Sequence, residues 1–197
     1  MAPYPVTFDL ERPEKMDRAH VFLRILLLVV LSWVAGSATG GGLVYLGLPV
    51  VAAILISQGG GERYLTEDGE RMTKVLSFLV GLYAYFALLT DQLPGFERGA
   101  IRFDVVRSGS PTVSSALWRI AKAIPSAIVL ALIGFVSWIV WLVAAIFILA
   151  SERYPAGLWN FQRGVVRWEA RLLAYLASLV DPYPPFSFDT GPASTIP

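Results

Sequence analysis

Three long segments without a charged side chain constrain this chain more than any other feature. They run from Ile25 to Gly61, from Val75 to Thr90 and from Ala123 to Ser151. A helix needs about 20 apolar residues to cross the hydrocarbon core of a bilayer. The segments are therefore typical of helices that span or enter a membrane, and we predict an all-α integral membrane protein.

The first segment is too long for one span, because as a single helix it would extend about 56 Å. Its middle, from Gly36 to Gly42, is rich in glycine and small residues, which is typical of a helix break. We therefore predict two apolar helices, over residues 21–38 and 42–57, joined by a tight turn. A cleaved signal sequence is the alternative for the first helix, but signal sequences begin with a basic segment. Four acidic residues precede this helix: Asp9, Glu11, Glu14 and Asp17.

The third segment, taken as apolar residues 119–151, has two interpretations. The first is a single long or kinked span, and the second is a shallow hairpin broken near Gly134. Trp138 and Trp141 lie near the centre of the segment. A hairpin tip would bring them to the membrane interface, where tryptophan collects, whereas a straight helix would pack them against partner helices.

The composition excludes several classes of function. The chain is 55% hydrophobic and 16% charged, it has no cysteine, and its single histidine is His20. Thiolate chemistry, iron–sulfur clusters and paired histidine ligands are therefore excluded within the chain. The 16 basic and 15 acidic residues give a net charge of +1, which offers no field for nucleic acid. We predict no catalytic residue, no metal site, no cofactor and no enzymatic activity.

The second half of the chain resembles the first. Residues 6–12 align with residues 101–107 without a gap, and the same offset aligns Arg24 with Arg119. A second, slightly shorter offset aligns a series of later residues. We predict two tandem repeats, over residues 4–98 and 99–188, followed by a tail over residues 189–197. The later aligned residues are Glu62, Arg63 and Tyr64 with Glu152, Arg153 and Tyr154; Tyr85 with Tyr175; and Asp91 with Asp181.

Each predicted repeat begins with a strand and ends with a helix. Apolar residues alternate in Val6–Leu10 and in Ile101–Val105, which predicts two short strands at the membrane surface that pair with each other. The first repeat ends with a helix over residues 74–90. The second ends with an amphipathic helix over residues 162–180, which we expect to lie in the membrane interface with its arginines at the headgroups.

The end of the chain is similar to a known family. Its characteristic parts are Ser151-Glu-Arg-Tyr-Pro, the helix Arg163-Gly-Val-Val-Arg-Trp-Glu-Ala-Arg and the ending Asp181-Pro-Tyr-Pro-Pro-Phe. Over residues 117–188 this pattern resembles a bacterial family of small membrane proteins known only as a domain of unknown function. The first repeat resembles a degraded copy. The resemblance implies no activity, cofactor or catalytic residue.

The charged residues lie at the edges of the apolar segments. Asp91 and Asp181 each end a helix just before prolines, which favours a helix-stop and turn role over proton transfer. Basic residues flank every segment, which favours a cytoplasmic N-terminus. The resemblance to a bacterial membrane family implies a multi-pass position in the bacterial inner membrane. Arginines at segment ends are expected to reach lipid phosphates. The predicted lipid or partner contacts are Arg24, Arg63, Arg119, Arg153, Arg163, Arg167, Trp168 and Arg171.

Three functions fit these features. The first is a non-catalytic accessory or scaffold subunit of a larger membrane protein complex, with lipids and that complex as its partners. The second is a lipid-organising or membrane-shaping protein whose hairpins wedge one leaflet. The third is a small transporter built from internal repeats, although the predicted spans lack a charged or amide side chain to bind a solute.

Overall fold

A computed structural model of the chain describes residues 4–35, 39–94 and 101–188, without the side chains of residues 30–42. The described part is mainly helical with one small sheet, as the sequence predicts. The predicted boundary between the repeats and the tail over residues 189–197 lie outside the described residues.

The two strands form an antiparallel pair. β1 is Val6–Leu10 and β2 is Ile101–Val105. Phe8 lies opposite Phe103 at the centre of the pair. The first residue of each strand lies opposite the last residue of the other. Alternate residues of β1 are buried, as expected for a strand with one face on the core. The predicted pairing of these strands is confirmed.

Two helices follow β1, as predicted, but their bounds differ from the predicted ones. α1 is Arg18–Ala35 and α2 is Thr39–Arg63. The turn predicted between them falls partly on residues 36–38, which are outside the described residues. α2 extends past residue 57 and kinks at Gly60, which has φ 80° and ψ 166°. Glycine tolerates this conformation because it has no Cβ.

α2 continues almost directly into the next helix. A π-helical turn, Tyr64–Asp68, joins it to α3, which is Gly69–Phe86. α3 therefore begins earlier than the predicted residue 74, because the backbone stays helical from Arg63 through the π-helical turn to Gly69. It also ends before residue 90, because Leu88 takes a left-handed conformation with φ 63°.

The third apolar segment is one helix, and the alternative of a hairpin near Gly134 is wrong. α4 is Val113–Ser151, and it includes both Gly134 and Pro125. A single glycine costs a helix about 1 kcal/mol relative to alanine, which is not enough to break a long apolar helix. A capping box of Thr112 and Ser115 starts α4.

α5 is the most buried helix. It is Ala156–Leu176, and it packs against α4, α3 and β1. The sequence predicts a later helix, over residues 162–180, lying at the membrane interface. The structure corrects this expectation, because nearly every residue from Gln162 to Leu176 is buried within the fold.

Among the residues that the structure describes, two helical stretches are long and apolar enough to cross a membrane. They are Leu43–Phe86 and Val113–Ser151. Only 28% and 17% of their most apolar windows are buried inside the fold. A core helix of a water-soluble protein would be mostly covered, so both stretches present apolar surface outward.

Candidate functional site

Arg24 forms the centre of a buried cluster at the end of α3. Its side chain is fully buried, and its Nη2 atom donates to the carbonyl oxygen of Thr90 at 2.5 Å and to Oδ1 of Asp91 at 2.9 Å. The guanidinium carbon lies 4.3 Å from the ring centre of Tyr85. The second oxygen of Asp91 accepts a hydrogen bond from the backbone N–H of Asp17 at 2.7 Å. We call this group the first arginine cluster.

Arg119 forms a matching group at the end of α5. Its Nη1 atom donates to the carbonyl oxygens of Tyr175 at 2.8 Å and Val180 at 2.5 Å, and its Nη2 atom donates to Oδ1 of Asp181 at 2.6 Å. The guanidinium carbon lies 4.6 Å from the ring centre of Tyr175. The second oxygen of Asp181 accepts from the backbone N–H of Ser110 at 3.3 Å. This is the second arginine cluster.

The turn after each helix explains why an arginine is needed there. Leu88 and Ser178 both have positive φ, 63° and 56°, so each helix ends in a left-handed turn. Such turns leave carbonyl oxygens without helical donors. A guanidinium group has five N–H donors and can satisfy such oxygens, and Arg119 donates to two of them while Arg24 donates to one. A backbone hydrogen bond closes each turn. The N–H of Leu89 donates to the carbonyl oxygen of Ala84 at 3.0 Å, and the N–H of Leu179 donates to that of Ala174 at 3.1 Å.

The arginine face of α5 packs on β1. Nε of Arg167 donates to the carbonyl oxygen of Phe8 at 3.0 Å, and its Nη2 lies 3.4 Å from Oδ1 of Asp9. Nη1 of Arg163 lies 3.6 Å from the same oxygen of Asp9. Both arginines are buried, so one carboxylate between two guanidinium groups ties the helix to the strand.

The chain after α5 covers the rest of this face. Nη1 of Arg171 donates to the carbonyl oxygen of Ser187 at 3.5 Å. Trp168 meets Phe186 and Phe188 edge to face, with ring centres 5.3 Å and 5.7 Å apart. Aromatic pairs at this separation add about 0.5–1.5 kcal/mol beyond the area that they bury. The proline-rich ending is therefore packed against the helix that precedes it.

The structure divides the predicted contact residues into two groups. The exposed group is Arg63, which pairs with Glu67 at 2.7 Å, and Arg153. For these two, contact with lipid or a partner stays a prediction. The other side chains are buried against carboxylates, carbonyl oxygens or aromatic rings of the chain, which corrects the expectation that they reach headgroups. They are Arg24, Arg119, Arg163, Arg167, Trp168 and Arg171.

Sequence reasoning missed the partners of these arginines. Asp91 and Asp181 do follow helix ends, but each also binds an arginine from another helix. The signal was present, because Arg24 aligns with Arg119 and Asp91 aligns with Asp181 in the same comparison of the two halves. No comparable signal pointed to Asp9.

Comparison with known proteins gives one match. Residues 114–187 match a family described as a domain of unknown function (DUF4389). The match covers nearly all of α4, all of α5 and most of the segment after it, and so contains the second arginine cluster except Ser110. The predicted similarity to a domain of unknown function is therefore confirmed for this part of the chain. No curated protein and no solved structure matches the chain.

Proposed function

We propose that the chain is a non-catalytic integral membrane protein that serves as an accessory or scaffold subunit of a larger membrane complex. The observation that carries this proposal is an exposed aromatic pair on α4. Phe135 and Trp138 are 68% and 59% exposed at the centre of the charge-free part of α4. Tryptophan in membrane helices prefers the interfaces, so an exposed tryptophan at mid-segment favours contact with another helix.

The surface around this pair supports a position in the membrane. Exposed large apolar side chains continue along α4 on both sides of it, and an apolar surface of this extent is unusual on a monomer in water. These side chains include Leu117, Ile124, Ile128, Leu132, Ile139, Leu142, Ile146 and Phe147.

The arginine clusters suit a scaffold better than a reaction centre. Their charged groups are paired with one another and with backbone carbonyl oxygens, and they join helices that are far apart in the sequence. Arg24 links α1 to the end of α3, and Arg119 links α4 to the end of α5. Buried arginines with several acceptors hold helices in a defined arrangement.

We also propose that the chain consists of two tandem units, over residues 4–98 and 99–188. In both arginine clusters the arginine contacts an aspartate, a carbonyl oxygen and a tyrosine ring at aligned positions, and both helices end in left-handed turns at aligned positions, Leu88 and Ser178. The register of β1 and β2 supports the same idea, because the aligned residues Phe8 and Phe103 lie opposite each other. This is the register that a two-fold relation between the units would produce.

The proposed setting is a bacterial inner membrane, crossed more than once, with the N-terminus in the cytoplasm and with lipids as further partners. The basic flanks of the apolar segments support this orientation. The alternative of a membrane-shaping protein is weaker. That function requires apolar hairpins that enter one leaflet, and α4 is a continuous helix instead of a hairpin.

Cross-linking from α4 tests the scaffold function. We expect a photo-reactive amino acid in place of Trp138, in cells expressing the protein at its native level, to form one discrete product with another membrane protein. The same amino acid in place of Arg71, an exposed residue on α3, is the matched control and should form none. Gentle detergent extraction should also yield an assembly larger than the chain. A protein that extracts only as a monomer and cross-links only to lipid at residue 138 would contradict the proposal.

A further inference from the structure

A cavity of about 310 Å³ lies between α2, α3, α4 and α5. One wall is a face of α5 on which Gln162, Val165, Val166 and Glu169 follow at helical spacing. This face points away from the arginine face that packs on β1. The cavity is therefore separate from the clusters described above.

Glu169 is an isolated acid in this cavity. No lysine or arginine forms an ion pair with it within the ranges that the structure describes. Its neighbours with ionisable groups are Tyr45 of α2 and Tyr83 of α3. The lining residues of α4 are Leu130, Gly134 and Ser137, which carry no charge. Burial raises the pKa of Glu169 to about 7, because nothing compensates the lost hydration of the carboxylate.

The other walls of the cavity are suited to the apolar part of an organic ligand. Tyr45, Tyr83 and Phe86 supply aromatic rings, and Leu130 and Val166 supply aliphatic surface. Aromatic rings beside a carboxylate form the usual environment for an ammonium group, because the ring faces and the carboxylate both attract positive charge. We propose that this cavity binds a small amphiphilic organic cation, with its ammonium group on Glu169 and its apolar part against the rings.

The cavity opens beside the apolar surface of α4. Gly134 lines the cavity and is also exposed, and a Cβ atom placed there would meet no atom within 4 Å. A ligand that dissolves in the membrane can therefore reach Glu169 past this glycine.

The test uses hexylamine, which is protonated at neutral pH, with the full-length protein in detergent micelles. Isothermal titration calorimetry should show saturable binding at one site, with hexanol binding at least about tenfold more weakly. Glu169→Gln should reduce the affinity for hexylamine about tenfold or more, because the amide carries no charge. Glu67→Gln is the matched control and should bind as the wild type does, since Glu67 is 61% exposed in the π-helical turn before α3 and does not line the cavity.

The pH dependence separates a cation from a neutral ligand. A cation binds the ionised carboxylate, so its affinity should rise about tenfold between about pH 6 and about pH 8 as Glu169 loses its proton. A neutral ligand that accepts a hydrogen bond from the protonated acid would show the opposite trend.

Two further measurements protect the test against misfolding. The circular dichroism spectrum and the thermal midpoint of Glu169→Gln should stay as in the wild type, so that its weaker hexylamine binding reports the lost charge. The proposal is overturned by an absence of saturable binding to the wild type, by equal binding to Glu169→Gln, or by an affinity that falls as the pH rises. The isolated chain is enough for this test, so its failure does not bear on the scaffold function.

Discussion

At the scale of single residues, the arginines differ in what their charge is used for. Arg24 is fully buried and serves a carbonyl oxygen and a carboxylate, whereas Arg63 is 60% exposed and pairs only with Glu67 one turn away. Exposed ion pairs contribute little to stability, because water and salt screen them. Buried pairs behave differently, since removing one member leaves the other without compensation.

We expect Arg24→Met to lower the free energy of unfolding by about 2–4 kcal/mol, because the carbonyl oxygen of Thr90 and the carboxylate of Asp91 lose their donor. Arg63→Met should change it by less than about 0.5 kcal/mol. Denaturant titration in one detergent, followed by circular dichroism, measures both. Equal losses for the two variants would show that the first arginine cluster is not a stabilising contact.

At the scale of elements, helix termination is the feature that sequence patterns describe least well. The apolar periodicity of α3 and α5 continues past their ends, yet both helices stop at a left-handed residue that is not glycine. The side chain of Leu88 is buried in the core, which favours leucine at this position despite the positive φ. Ser178 is buried too, but its hydroxyl has no hydrogen-bond partner among the described residues.

Glycine at these two positions should have opposite effects. Ser178→Gly should raise the free energy of unfolding by about 1 kcal/mol, because glycine adopts positive φ without strain and the unpaired hydroxyl is removed. Leu88→Gly should lower it by about 2–4 kcal/mol, since the same backbone relief is outweighed by the cavity left in the core. Thermal unfolding of the two variants side by side gives the comparison. A loss of stability at both positions would mean that the turns carry no strain.

At the scale of the whole molecule, the apolar surface of α4 defines how the protein would sit in a membrane. The chain contains no cysteine, so single cysteines report their own surroundings without interference. Phe135 and Arg71 are both exposed on the folded chain, one at the middle of α4 and one on the charged part of α3. In the proposed position, lipid surrounds Phe135 and water surrounds Arg71.

We expect a membrane-impermeant maleimide to label Arg71→Cys in opened membrane fragments, in which the bilayer is undissolved and the reagent reaches both faces. Phe135→Cys should stay unlabelled until detergent dissolves the bilayer, because the charged reagent does not enter hydrocarbon. Gel-shift detection of the modified chain measures both rates. Rapid labelling of Phe135→Cys before detergent is added would contradict the membrane position of α4.

Much of the fold was predictable because periodicity and charge distribution are local properties. The strand pair, the two helices of the first apolar segment and the helical nature of α5 all follow from patterns within a few turns of chain. The continuity of α4 through Gly134 was left open, because one glycine changes helix stability too little to decide between a helix and a hairpin.

The sequence by itself determined which segments are apolar, which are helical and that both halves carry the same arginine, tyrosine and aspartate positions. Only the tertiary structure decided what the charged side chains contact. Helical spacing places Arg163, Arg167 and Arg171 on one face, but it does not say whether water, headgroups or protein covers that face. β1 and the chain after α5 cover it, and they come from opposite ends of the sequence. Contacts between residues so far apart depend on how the helices pack, which no local pattern encodes.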